Sequence, residues 1–355
     1  MKLHFPNSVA EINLKTLTEN ISAIKKKHPG KKLLSVVKCN AYGHGAVQCA
    51  RHMEEDVDWF GVAAVDEGIE LRMGGIQKPI LVFGVPAPET AASYVTHNLT
   101  ATVSHRVHFS TLMDGTRYHL NFDTGMRRLG FTPDEAGEVR KLAVGNQRLV
   151  CTGIYSHFAT ADDPGSAFAA EQHNRFKEVI KHFSEVPLVH MSNTGAALHY
   201  DFDHFDMIRT GLALLGYNSG KTIVDWITPV MKWKTQIIQV RPIKKGETVS
   251  YGAAWTCPED GFLATLPLGY GDGIPRSLSN KLQVSAEGNM YPVAGNITMD
   301  YVMVYLGEDR LKPGTEVTLM GGKGWSAAKW AQHAGTNVHE TLTNLNGGRI
   351  ERDYR

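Results

Sequence analysis

Eight short apolar runs recur along the first two-thirds of the chain, separated by segments with the i, i+3, i+4 spacing of amphipathic helices. They are residues 33–37, 60–65, 80–83, 100–103, 118–122, 149–155, 188–190 and 207–208. Helical patterns include 168–183 and, ahead of the first run, 9–26. Strands that alternate with helices form parallel sheets covered on both faces, and eight of them predict an α/β fold closed as a (β/α)8 TIM barrel. In that fold the reactive groups lie at the C-terminal ends of the strands. Polar residues follow this rule here: Lys38 comes after the first run, Asp123 after the fifth, His157 after the sixth, Asn193 and Thr194 after the seventh, and Arg209 and Gly211 after the eighth. One mouth of the barrel would collect them.

Beyond about residue 226 the texture changes to β-rich runs with Gly and Pro turns, at 234–241, 262–267, 281–285, 301–306 and 316–320, interrupted by helical patterns at 326–334 and 338–345. We expect a barrel domain over 1–225 and a mostly antiparallel β domain over 226–355. The 37 Lys and Arg residues against 36 Asp and Glu leave a formal charge of +1. That balance predicts no general attraction to nucleic acid or acidic membrane, and a small-molecule partner fits better. Cys39, Cys49, Cys151 and Cys257 lack zinc-type spacing and read as reduced thiols. Residues 1–6 carry no signal-type apolar stretch, and nowhere are there about 18 consecutive apolar residues, so a soluble cytoplasmic protein is expected.

A lysine closing a buried strand needs a reason. Lys38 can snorkel to the surface, or its desolvated amine can act as a nucleophile towards an aldehyde. Asn40, Tyr42 and His44, set between Gly43 and Gly45, crowd polar groups where backbone can approach a ligand closely. We read Lys38 as the covalent anchor of pyridoxal 5'-phosphate (PLP). For the phosphate, a barrel uses the loops after strands seven and eight, where Thr194, Gly211 and Leu212 lie. Thr194 can equally be a helix N-cap in the run Ser192-Asn193-Thr194-Gly195.

The run from Lys38 to Gly45 resembles the cofactor-lysine motif of the alanine racemases, Lys-x-Asn-Ala-Tyr-Gly-His-Gly. The resemblance continues in the family's order through 123–130, 156–162, 208–211, 249–252, 269–273 and 297–300, covering almost the whole chain. It implies PLP-dependent interconversion of L- and D-alanine by a homodimer with active sites at the interface, in the service of cell-wall precursors, while a catabolic role is equally consistent with the chemistry. It also implies roles. Lys38 and Tyr251 would be the two bases, Tyr251 coming from the other subunit, with His157 linking it to Arg209. Cofactor contacts would come from Lys38, Tyr42, Arg128, His157, Asn193, Thr194, Arg209, Gly211 and Leu212. Arg128 and the Met299 amide would hold the substrate carboxylate, and Tyr270 would narrow the entrance.

Arg209 selects the reaction. A guanidinium at the ring nitrogen keeps that atom unprotonated and weakens the ring as an electron sink, which favours brief deprotonation and return of the proton. Related barrel-fold decarboxylases place an acidic residue there. Inversion needs a base on each face, and a phenol of ordinary pKa about 10 needs nearby positive charge to act as one. Asp162 and Asp300 read as structural.

Three positions depart from the family. Asn121 stands where many members carry a carbamylated lysine that orients the carboxylate-binding arginine, and a chloride beside Asn121 and Arg128 is expected to take its place. Asn296 stands for a usual arginine. The late phosphate-contacting tyrosine has no clear match in 344–348. These leave a broad-specificity or serine racemase as the alternative substrate reading. A non-enzymatic PLP carrier of the single-barrel type is disfavoured by residues 226–355 and Tyr251. No metal site is expected.

Overall fold

The computed structural model describes residues 7–220, 222–345 and 347–355. The expectation drawn from residues 1–6, and Asn346 within 344–348, lie outside the described residues. Cα proximity divides the chain into two compact units: Thr16–Ala41 with Ala46–Thr228, and the described residues up to Lys15 with Tyr42–Gly45 and Pro229–Arg355.

The chain's first strand, β1 (Ser8–Ile12), belongs to the second of these units. The first unit is a closed parallel barrel of β2 (Lys32–Val36), β3 (Trp59–Val62), β4 (Ile80–Val82), β5 (Leu99–Val103), β6 (Arg117–Asn121), β7 (Val150–Tyr155), β8 (Val189–His190) and β9 (Met207–Thr210). Closure is by β2 on β9, with Leu34 opposite Arg209. The eight expected strands are therefore present, and the residues after them share one rim. Arg209 itself lies within β9, inside the barrel, where we expected it beyond the strand.

The barrel filling is divided by polarity. Leu34, Leu81, Leu188 and Met207 form a buried apolar cluster, with Trp59 and Phe83 packed on it. Thr102, His119, His190 and Arg209 are buried as well, with Tyr155 among them. Barrels usually carry branched aliphatic side chains at such positions, so a polar interior demands internal partners for each group. Gly153 on β7 makes room for one of them, because a Cβ there would stand 2.7 Å from three atoms of the His119 ring. Gly153→Ala should destabilise the protein by about 1–3 kcal/mol through overpacking. Chemical denaturation would show it as a lowered midpoint at unchanged slope, and an unchanged midpoint would mean that the ring can yield.

In the second unit a six-stranded sheet runs β16-β15-β18-β10-β1-β19, using β10 (Met231–Gln236), β15 (Gln283–Ala286), β16 (Asn289–Pro292), β18 (Glu316–Met320) and β19 (Glu351–Tyr354). A three-stranded sheet, β11 (Gln239–Ile243), β14 (Gly261–Leu266) and β17 (Val302–Gly307), and a ribbon of β12 (Thr248–Val249) with β13 (Trp255–Thr256) complete it. Two local expectations are corrected, and a third gains a partner. The helix expected over 9–26 begins only at Leu14, because residues 8–12 form β1, antiparallel to β10 and parallel to β19. The run 234–241 is two strands: the Ile237 amide donates to Thr315 while the Ile238 amide donates to Thr265, so the chain changes sheets between them. The run 281–285 is one arm of a hairpin turned at Glu287 and Gly288, both at positive φ (48° and 89°), as a type I′ turn requires.

Candidate active site

Lys38 does not end a strand. β2 stops at Val36, and Lys38 opens a turn in which Cys39, Asn40, Ala41 and Tyr42 all have positive φ, between 49° and 55°. Left-handed backbone costs an L-residue roughly 1–2 kcal/mol, so four in succession require strong local restraint. The Cys39 amide donates to Glu67 Oε1 (2.6 Å). Glu67 Oε2 accepts from the Ala63 and Ala64 amides (2.6 and 3.2 Å), and Asn40 Oδ1 accepts from the Ala46 amide (2.8 Å). Lys38 is half-buried at the end of this arrangement. Glu67 was not among the residues singled out from the sequence, where it looks like an ordinary first-turn acid.

Arg209 is 3% exposed, and both its terminal nitrogens are engaged. Nη1 donates to His190 Nδ1 (2.7 Å), and Nη2 donates to the Ser156 and Met191 carbonyls and to His157 Nδ1 (2.8, 3.0 and 3.2 Å). Its carbon lies 5.3 Å from the centre of the Tyr155 ring. That ring stacks on His190 at 5.0 Å and 8°, and its hydroxyl bonds Thr102 Oγ1 (3.0 Å). Burial lowers the Arg209 pKa to about 10, which leaves it a cation at neutral pH. His157 is pushed well below its ordinary value by burial and then by the charges of Arg209, Arg128 and Lys38. Burial, then Arg209 and His119, hold His190 well below the usual range. Both imidazoles are therefore neutral acceptors.

Among the described residues, neither Lys38, Arg128 nor Arg209 forms an ion pair with a carboxylate, and no acceptor reaches Arg209 Nε. Three cations around His157 leave positive charge without a carboxylate at one barrel mouth, which fits the anionic phosphate of the PLP that the resemblance implies.

Around this centre, Asn193 rather than Thr194 caps the helix Thr194–His199, its side chain accepting from the Ala196 amide at 3.1 Å. Thr194 Oγ1 instead pairs with Thr210 Oγ1 (3.0 Å), beside buried Gly211 and Leu212. Asn121 is buried and donates through Nδ2 to the Leu129 carbonyl (2.9 Å), next to exposed Arg128. Gln172, also overlooked in the sequence, ties the rim together: it accepts from the Ala159 amide (2.9 Å) and donates to the His157 carbonyl (3.1 Å).

In the other unit, Tyr42 is buried and meets the His339 ring edge-on at 5.8 Å. Tyr251 is 76% exposed, and Tyr270, Met299 and Tyr301 are exposed as well. The backbone that presents Tyr251 is unusual, since Ser250 has φ 68° and ψ −179°, a region almost confined to glycine. Ser250 Oγ donates to the Asn296 carbonyl (2.7 Å), and Asn296 Nδ2 donates to the Tyr251 carbonyl (2.8 Å), so the residue in the family's arginine position braces this segment. The Met299 carbonyl accepts from the Gly271 amide (3.0 Å), and Asp300 pairs with Arg349 (2.8 Å).

Comparison with known proteins adds an independent line. The family model described as the alanine racemase N-terminal domain matches residues 12–219, and that of the alanine racemase C-terminal domain matches 230–354. The chain is 35% identical to an alanine racemase of Carboxydothermus hydrogenoformans, over 97% of this chain and 98% of that protein. Among solved structures, an alanine racemase from E. faecalis superposes with a TM-score of 0.95 at 30% identity, with 100% of both chains covered. One from Bacillus anthracis, solved with L-Ala-P bound, gives 0.93 at 30% identity, covering 100% of this chain and 96% of that one.

Proposed function

The chain belongs to the alanine racemase family, and from that premise we propose that it interconverts L- and D-alanine with PLP, using Lys38 and Tyr251 as the two bases. The observation that carries this reading is the buried Arg209, a cation held only by neutral acceptors, because a carboxylate in its place would serve a different reaction. When bound, PLP supplies the electron-withdrawing ring that makes the Cα–H of an amino acid acidic.

The protein's own groups do the rest. Lys38 would hold the cofactor and move a proton at one face of Cα; the Tyr251 phenol would do so at the other. The Thr194 hydroxyl, the Gly211 and Leu212 amides, Asn193 and Tyr42 would bind the phosphate. His157 accepts from Arg209 at Nδ1, so its proton sits on Nε2, where it can donate to the Tyr251 oxygen and stabilise the phenolate. Arg128 and the Met299 amide would hold the substrate carboxylate, and Tyr270 would limit the side chain. The exposure of Tyr251, Tyr270, Met299 and Tyr301 supports a homodimer in which a second copy covers them. No helix among the described residues is long and apolar enough to cross a membrane.

The test is the circular dichroism of L-alanine incubated with the holoenzyme, followed with a panel of other L-amino acids. Decay to zero signal supports the reading, fastest decay with serine would change the substrate, and a cofactor band without any decay would leave a carrier. At Asn121 a neutral amide cannot balance Arg128, and a chloride beside the two would do so. Removing halide should then lower kcat/KM by roughly three- to tenfold, the scale of one charge-assisted contact. Restoring chloride should recover it. Identical rates in halide-free buffer would remove the anion.

A further inference from the structure

Behind Arg209 lie two buried histidines, of which only His190 has so far been given a part, as an acceptor of the guanidinium. His190 lies on β8 and His119 on β6, 71 residues apart, with His190 Nε2 and His119 Nδ1 at 2.9 Å. Both rings are 0% exposed. We propose that His119 is a positioning residue for the Arg209 guanidinium, acting through His190.

The direction of the chain follows from its head. A guanidinium only donates, so His190 Nδ1, 2.7 Å from Arg209 Nη1, must carry a lone pair. A neutral His190 then bears its proton on Nε2 and donates it to His119 Nδ1, which leaves the His119 proton on Nε2. Two hydrogen bonds thus set both tautomers. If His119 offered no acceptor, His190 could turn its proton to Nδ1 and face the guanidinium with a second donor, pushing it from its place.

The surroundings hold both rings in this arrangement. Tyr155 stacks on His190, Trp59 packs on His119 at 5.0 Å between ring centres, and Gly153 leaves the space that the His119 ring fills. The far end of the chain is costly. His119 Nε2 is buried with no hydrogen-bond partner among the described residues. An aliphatic side chain would remove that unmet N–H but strip the buried His190 N–H of its acceptor, so the histidine is tied to keeping His190 in this tautomer. Neutral imidazoles also orient the arginine without cancelling its charge, as a carboxylate would, and the charge reaches the cofactor undiminished.

The inference rests on Arg209 facing the ring nitrogen of PLP, and the experiment separates the two. In holoenzyme containing 15N-labelled histidine and 15N-labelled PLP, NMR should show His190 and His119 both as Nε2–H tautomers and the ring nitrogen unprotonated. His119→Leu should shift the ring-nitrogen signal and lower kcat roughly tenfold, with KM within about twofold, in line with effects of outer hydrogen-bonding partners. His119→Asn, whose Oδ1 can replace Nδ1, should bring both back to within about threefold of the parent. A Nδ1–H tautomer at His190 in the unmodified protein would overturn the proposal without any variant having to fold. So would leucine and asparagine variants that behave alike. A protonated ring nitrogen with both tautomers as stated would instead overturn the reading of Arg209.

Discussion

Replacing Lys38 with alanine should abolish both the visible absorbance of the protein-bound cofactor and racemisation, with activity falling by on the order of 10^4-fold or more, as when a covalent-catalysis nucleophile is removed. The loss should come from chemistry and not from folding. Lys38 is half-buried, its own side chain makes no ion pair among the described residues, and the left-handed turn after it is held by Glu67 and Asn40. Thermal stability of the cofactor-free variant should therefore match that of the cofactor-free parent. Added methylamine is expected to restore a small part of the activity, because it returns an amine where Nζ stood. Full activity in Lys38→Ala would remove Lys38 from the mechanism, and with it the assignment of the two faces.

Tyr251→Phe should leave the absorbance intact while lowering racemisation by about 10^2- to 10^4-fold, the range for loss of a general base or acid. The substitution deletes one oxygen from a side chain that is 76% exposed, so stability should not change. The bracing of the segment by Ser250 and Asn296 runs through backbone carbonyls and survives. The effect should be unequal: removal of the Cα proton from one enantiomer should fall much further than from the other. Exchange of the Cα proton in deuterated water, measured separately for L- and D-alanine, reads this directly. Equal loss for both enantiomers would show that Tyr251 does not serve a single face, and no loss would remove it as a base. Activity that rises with protein concentration in step with dimer formation would support a second copy bringing this tyrosine to the site.

Much of this was legible in the sequence because it is local. The period of the apolar runs reports strands and helices within a few residues, and the positions of Lys38, His157, Thr194 and Gly211 just after those runs report a common rim. The sequence leaves Thr194 open between a phosphate contact and an N-cap; Asn193 takes the cap, and the Thr194 hydroxyl pairs with that of Thr210. Residues 9–12 read as helix because the pattern merges into the real helix at Leu14. Their strand pairing depends on partners more than 200 residues away, with Ala10 opposite Trp233.

By itself, then, the sequence determined the alternation that closes a barrel, and it picked out the amine proposed as the anchor and the arginine proposed to choose the chemistry, since each depends on residue type and short spacing. Only the tertiary structure decided that four residues after Lys38 are left-handed, that Arg209 lies inside the barrel, and that it leans on His190 and His119. The physical reason is range. A hydrogen bond between β6 and β8 has no signature in either strand alone, because it exists only when barrel closure brings two side chains, distant along the chain, within 3 Å of one another.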